Sequence, residues 1–190
     1  MLKPLSIALG LLLLAGCDMV TIDKPIGAAF SDKEKASLLG SWVTEEGYVS
    51  EIAKTKQGDL VMGSLEWDEK EGKFKAESAD IALTTIGQHK YIFLKDPDGT
   101  YAFCRFVRKD DSHVELTLPD FKAFRKIVEE SLVATKDKPS DAFGSVVDEN
   151  SNVAVRLSSD SKALLEFFES PKIDACFEAK AILKYKRIRK

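Results

Sequence analysis

A chain of 190 residues, 44% of them hydrophobic, has enough apolar material for one domain of ordinary size, and no shift in composition forces a second. With 28 basic against 31 acidic side chains the formal net charge is -3, which argues against general nucleic-acid binding, since that demands a strongly basic face. The longest apolar run, Leu5 to Leu14, is about half of the ~20 residues a helix needs to cross a bilayer, so no transmembrane anchor is expected.

Residues 1–16 read as a signal peptide, with Lys3 as the charge, Leu5 to Leu14 as the apolar region, and Ala15 and Gly16 as the small residues before cleavage. An ordinary secretory signal would export the chain equally. The tetrapeptide Leu14-Ala15-Gly16-Cys17 resembles the lipobox of bacterial lipoproteins. That resemblance implies diacylglycerol on the Cys17 sulfur, cleavage before Cys17 and acylation of the new amino terminus. Two or three acyl chains hold firmly, because each buried CH₂ contributes ~0.8 kcal/mol. The implied address is the periplasmic side of the bacterial cell envelope. Asp18, directly after the cysteine, resembles lipoproteins kept in the inner membrane, with the outer membrane as the alternative. Residues 17–30 carry Pro25, Gly27 and two alanines without a period and are expected to form a lipidated tether, leaving 31–190 as a single β-rich domain.

Ser31 and Glu34 have the spacing of a capping box, and Gly40 suits the end of the short helix it would start. From Ser41 to Leu118 the hydrophobic period is close to two, with turn formers at short intervals, which predicts antiparallel strands near 41–45, 48–55, 59–67, 72–77, 80–86, 89–95, 100–108 and 112–118. Asp96-Pro97-Asp98-Gly99 between two aromatic-rich runs is the clearest hairpin turn. Around Cys104 both faces of the strand are partly apolar, as in a strand covered on two sides. After Pro119 the period changes. Phe121, Phe124, Val128 and Leu132 form a helical stripe, and a second helix is written in Ala163, Leu164, Phe167 and Phe168, stopped by Pro171. Between them Val153, Val155 and Leu157 alternate as a strand, and the run after Lys180 reads as the last one.

The fold class that follows is α+β and β-rich, an antiparallel meander sheet or barrel with a short N-terminal helix and two later ones. Gly40-Ser41-Trp42, after a short helix and at the mouth of the first barrel strand, resembles the Gly-x-Trp signature of lipocalins and related calycin barrels. The resemblance implies that Trp42 packs under the barrel floor, with Arg187 or Arg189 across it, and that the barrel encloses a small apolar ligand. Two helices after the eighth strand depart from the family's usual one.

Chemistry-bearing patterns are sparse. His89 and His113 are the two histidines, both in turn contexts that predict solvent-exposed side chains without a nucleophile beside them. Cys104, Cys176, His89 and His113 could in principle assemble tetrahedral zinc, but their spacing is not that of a zinc site. No phosphate loop, dinucleotide fingerprint or calcium loop is present, so no cofactor or metal is expected. With Cys17 acylated, the exported chain keeps an even pair of cysteines, and a structural disulfide between Cys104 and Cys176 is expected. The function expected is that of a membrane-tethered, non-enzymatic envelope lipoprotein binding a small apolar ligand, a peptide or an envelope protein. The alternatives are a periplasmic inhibitor or protective lipoprotein and, more remotely, a hydrolase working through carboxylates alone.

Overall fold

The alternating stretch from Gly40 onward closes into a barrel. A computed structural model describes residues 18–68, 71–137, 142–149, 152–177 and 182–189. In chain order the elements are β1 (Asp18–Ile22), β2 (Ala28–Ala29), α1 (Asp32–Ala36), β3 (Gly40–Thr44), β4 (Val49–Lys54), β5 (Leu60–Asp68), β6 (Lys73–Ile86), β7 (His89–Lys95), β8 (Tyr101–Arg108) and β9 (His113–Thr117). They continue with α2 (Phe121–Ala134), β10 (Gly144–Glu149), β11 (Asn152–Leu157), α3 (Lys162–Glu169), a 3-10 helix over Pro171–Phe177, and β12 (Ile182–Arg189). Strands β3 to β9 pair as an antiparallel meander, and β12 pairs with both β9 and β3 to close eight strands into a ring.

The register climbs around this barrel, as closure requires. Leu60, at the start of β5, faces Ile81, which in turn faces Leu94 near the end of β7. Strand β6 runs without interruption where two strands, 72–77 and 80–86, are predicted, because no glycine or proline breaks the junction and β5 pairs across it from Lys73 to Ile81. Beyond the barrel, β8 opens at its start to pair with β1, which runs parallel to β11, and β10 completes this extension.

Two cores share one wall. Inside the barrel lie Trp42, Met62, Ile81, Leu83, Ile92, Leu94 and Phe106. On the outer face of β7 and β8, under the helices, lie Tyr91, Phe93, Phe103, Phe124, Phe168 and Phe177. Four consecutive residues of β7, Tyr91 to Leu94, are therefore all buried, since alternate side chains enter opposite cores. The helix aromatics plug this outer face: Phe124 and Phe168 pack against Phe103, with ring centroids 5.8 and 5.9 Å away.

Three expectations are corrected. The stretch from Asp18 to Phe30 is built into the fold rather than free as a tether. Asp18 lies beside Val153 and Ile22 beside Leu157 and Tyr101, while Val20, Ile22, Ile26 and Phe30 are buried. Cys17 lies outside the described residues. The disulfide is absent, since Cys104 and Cys176 are both free and buried. The pleat of β8 sends Cys104 into the barrel and its neighbours Phe103 and Arg105 outward, and Cys176 sits in the outer core, so the barrel wall stands between the two thiols. Helix α1 ends early: Ser31 forms the capping box with Glu34, but the C-cap is Ser37, and Gly40 already begins β3.

Candidate functional site

Strand alternation fills the barrel with large side chains, and the space left among them is a cavity of about 30 Å³ bounded by Trp42, Ile52, Met62, Leu83, Phe106 and Tyr185. Pockets for drug-sized ligands run to roughly 300–1,000 Å³. The interior is thus a packed core.

Its closed end is held by a small network. Trp42 is buried and its indole Nε1 donates to the Leu38 carbonyl at 2.9 Å. The Arg187 guanidinium lies over the Trp42 ring, 4.4 Å from its centre, and donates to the Ser37 carbonyl. Pairing of Arg187 with Trp42 across β12 and β3 selects Arg187 over Arg189 for this place. Arg108 adds a bond from Nη1 to Ser37 Oγ at 2.6 Å and an ion pair with Asp111 at 2.7 Å. Two guanidiniums therefore strap the end of α1 across the barrel floor, where helix carbonyls favour cations. At the other end of α1, Glu34 accepts from Lys90 Nζ and from Ser31, and these bonds hold its carboxyl down at about 2.

A second charged group lies on the outer wall. Arg105 Nη1 meets Asp174 Oδ1 at 2.7 Å, His89 Nε2 meets the same oxygen at 3.2 Å, and the Arg105 guanidinium covers the Phe177 ring at 4.5 Å. The exposed turn position predicted for His89 is corrected: its side chain is 17% exposed, because the 3-10 helix folds over it. Burial, and then the Arg105 charge, hold His89 below its ordinary value, so the ring is neutral at neutral pH. His113 is half-exposed, as predicted for a turn, with Nδ1 2.9 Å from Asp110 Oδ2. Neither described thiol is poised for attack: burial, with Asp120 adding to it, pushes Cys176 up to about 12, and burial pushes Cys104 higher still. Among the described residues no three His, Cys, Asp or Glu side chains gather in a way that could hold a metal ion.

The surface offers more room than the interior. A polar groove of about 400 Å³ lies between the β4–β5 turn and the outer faces of β6 to β8, bounded by Thr55, Asp59, Asp80, Lys95 and Tyr101. Elsewhere, β5 and β6 pair from Leu60 to Asp68, whereas β4 follows β5 only to Ser64 and β7 joins β6 only from Ile81. Residues 65–68 and 73–76 therefore project past the rim as a two-stranded ribbon. By register the positions of Leu65, Trp67, Phe74 and Ala76 share one face of it, and Glu66, Asp68, Lys73 and Lys75 the other. Leu65 is 67% exposed, and Tyr48 and Val49, at the adjacent end of β4, are exposed too.

Sequence reasoning placed Trp42 and its arginine but not the Arg105 cluster or the ribbon. A signal for the first was present, a lone guanidinium in Phe103-Cys104-Arg105-Phe106, where both faces are otherwise apolar. For the ribbon there was none, since the sequence reads β6 as two short strands.

Fold and surface together define a closed, eight-stranded antiparallel barrel with a helix-covered outer wall and a filled interior. No protein-family model, curated protein or solved structure matches the chain.

Proposed function

We propose that this protein is an envelope lipoprotein, acylated on Cys17 and tethered to the membrane with its domain in the periplasm, and that the barrel works as a rigid interaction module. Asp18 favours the inner membrane. Of the three occupants expected from the sequence, a peptide or an envelope protein fits better than a small apolar ligand. The observation that carries this is the contrast between an interior with about 30 Å³ to spare and a projecting ribbon with Leu65 67% exposed. Apolar surface held out in water on a narrow ribbon is costly unless it is covered in use. Like the calycin barrels it resembles at Gly40-Ser41-Trp42, the domain closes its floor with tryptophan and arginine, but it recognises through its outside.

The test is a photo-crosslinking residue in place of Leu65, introduced in the native host. A discrete adduct with an envelope protein, lost on Trp67→Glu with unchanged melting temperature, is the expected result. No adduct at this position, or an adduct undiminished when Trp67 is replaced by Glu, overturns the reading.

A further inference from the structure

Residue 17 is one Cα step, ~3.8 Å, from Asp18. Asp18 is already paired with Val153 in the sheet. If Cys17 carries acyl chains, nothing slack separates them from the folded domain. The glycerol attached to the sulfur sits at the boundary between headgroups and acyl chains, so the start of β1 is held within the headgroup layer.

Register then identifies which rim of the domain meets the lipid. Strand β1 is antiparallel to β8, with Ile22 beside Tyr101 and Thr21 beside Ala102, so its start points toward the Arg105 end of β8. Arg105 pairs with Tyr91, two residues from the β6–β7 turn at Gly87-Gln88. On the other flank Asp18 pairs with Val153, next to Asn152, which pairs with Glu149 where β10 ends and β11 begins. The end of α3 lies here as well, since a Cβ on Gly87 would come within 3.4 Å of the Glu169 Cα. Asp174, bonded to His89 and Arg105, brings the 3-10 helix to the same rim.

We infer that β1 is a linker-free mount, and that the partner of the rim formed by the start of β1, the β6–β7 turn and the 3-10 helix is the headgroup layer of a phospholipid membrane. The inference rests on acylation of Cys17 and deepens the reading above. It also gives the molecule a polarity. Strand β6 has 14 residues, of which Ile86 lies at the lipid rim and Lys73 at the ribbon. At about 3.3 Å per residue, one continuous strand carries the ribbon up to ~40 Å from the membrane. The recognition surface is thereby presented outward at a fixed height instead of on a flexible leash.

The experiment uses acylated, full-length protein purified from host membranes and reconstituted in phosphatidylcholine vesicles containing a lipid with a nitroxide on its headgroup. A fluorophore is attached at Gln88→Cys, in the turn before β7, or at Lys95→Cys, at the far end of β7; both positions are exposed, while Cys104 and Cys176 stay buried. The two sites are ~20 Å apart along the strand. Quenching several-fold stronger at position 88 than at 95 is expected. Insertion of about twelve Gly and Ser residues between Cys17 and Asp18, a coil of ~20 Å, should bring position 88 down to the level of 95. Equal quenching at the two positions, or no effect of the insertion, with the acyl chains confirmed by intact mass, overturns the inference alone. A mature protein whose mass lacks acyl chains overturns the lipoprotein reading and the mount with it.

Discussion

Arg187 covers Trp42 and binds the Ser37 carbonyl, so one side chain ties the last barrel strand to the floor helix. Arg187→Ala removes a cation–π contact and a charge-assisted bond together, and a loss of about 1–3 kcal/mol is expected in urea unfolding. Arg187→Lys keeps the charge without the planar stack and should recover only part of it. An alanine variant as stable as the parent would show that the strap is incidental. Asp96 poses the opposite problem. Burial, with Asp98 next to it, raises its carboxyl to about 6, and among the described residues its Oδ2 has no hydrogen-bond partner. The folded state therefore binds this proton more tightly than the unfolded chain, for which 3.8 is the reference, and stability falls as pH rises from about 4 to 6. Asp96→Asn should match the parent below pH 4 and exceed it above pH 6, by on the order of 1 kcal/mol once solvent screening of a half-buried group is allowed for. Melting temperatures that differ equally at both pH values would place the effect elsewhere.

At the scale of elements, what was legible in the sequence was what obeys a local rule. Period two gave most barrel strands, the Asp96-Pro97-Asp98-Gly99 turn gave the β7–β8 hairpin, and Ser31 with Glu34 gave the start of α1. The floor contact of Trp42 with Arg187 was legible through a three-residue resemblance, because strand order brings those ends together. What escaped depends on partners distant in sequence. Strand β1 is held by β8 and β11, and β10 by β11, and neither stretch has enough alternation to declare itself. The cysteine pair was misjudged because an even count says nothing of which side of a wall each thiol occupies. Gly27 shows the cost of reading composition as flexibility. It has φ +92°, and a Cβ there would lie 2.5 Å from Ile86 Cγ1 and 2.6 Å from the Thr85 carbonyl oxygen, just before β2 pairs with β6. A tether glycine tolerates alanine. Here Gly27→Ala should cost about 2–3 kcal/mol, from strain at positive φ and the overlap combined. Unchanged thermal stability would restore the tether reading for this stretch.

For the whole molecule, the decisive feature is that β7 and β8 belong to both cores. Phe93 and Phe103 face the helices, and Ile92, Leu94 and Phe106 face the barrel, so neither core has a wall of its own on that side. If the barrel and the helical layer were separate cooperative units, emptying one would leave the other's transition in place. A shared wall predicts coupling. Phe103→Ala strips the outer core and Phe106→Ala the inner one, and each truncation of a buried aromatic costs about 3–5 kcal/mol. Both variants should move one common transition to lower temperature, with far-ultraviolet dichroism and aromatic fluorescence still coincident. A biphasic melt in either variant, with the dichroism and fluorescence midpoints apart, would mean that the layers unfold independently. Coupling matters to the proposed work because the mount is fastened to the outer layer, through β1 and β11, whereas the ribbon grows from the barrel. Only a wall common to both can hold the ribbon at a fixed attitude to the anchor, and a hinge between the layers would undo it.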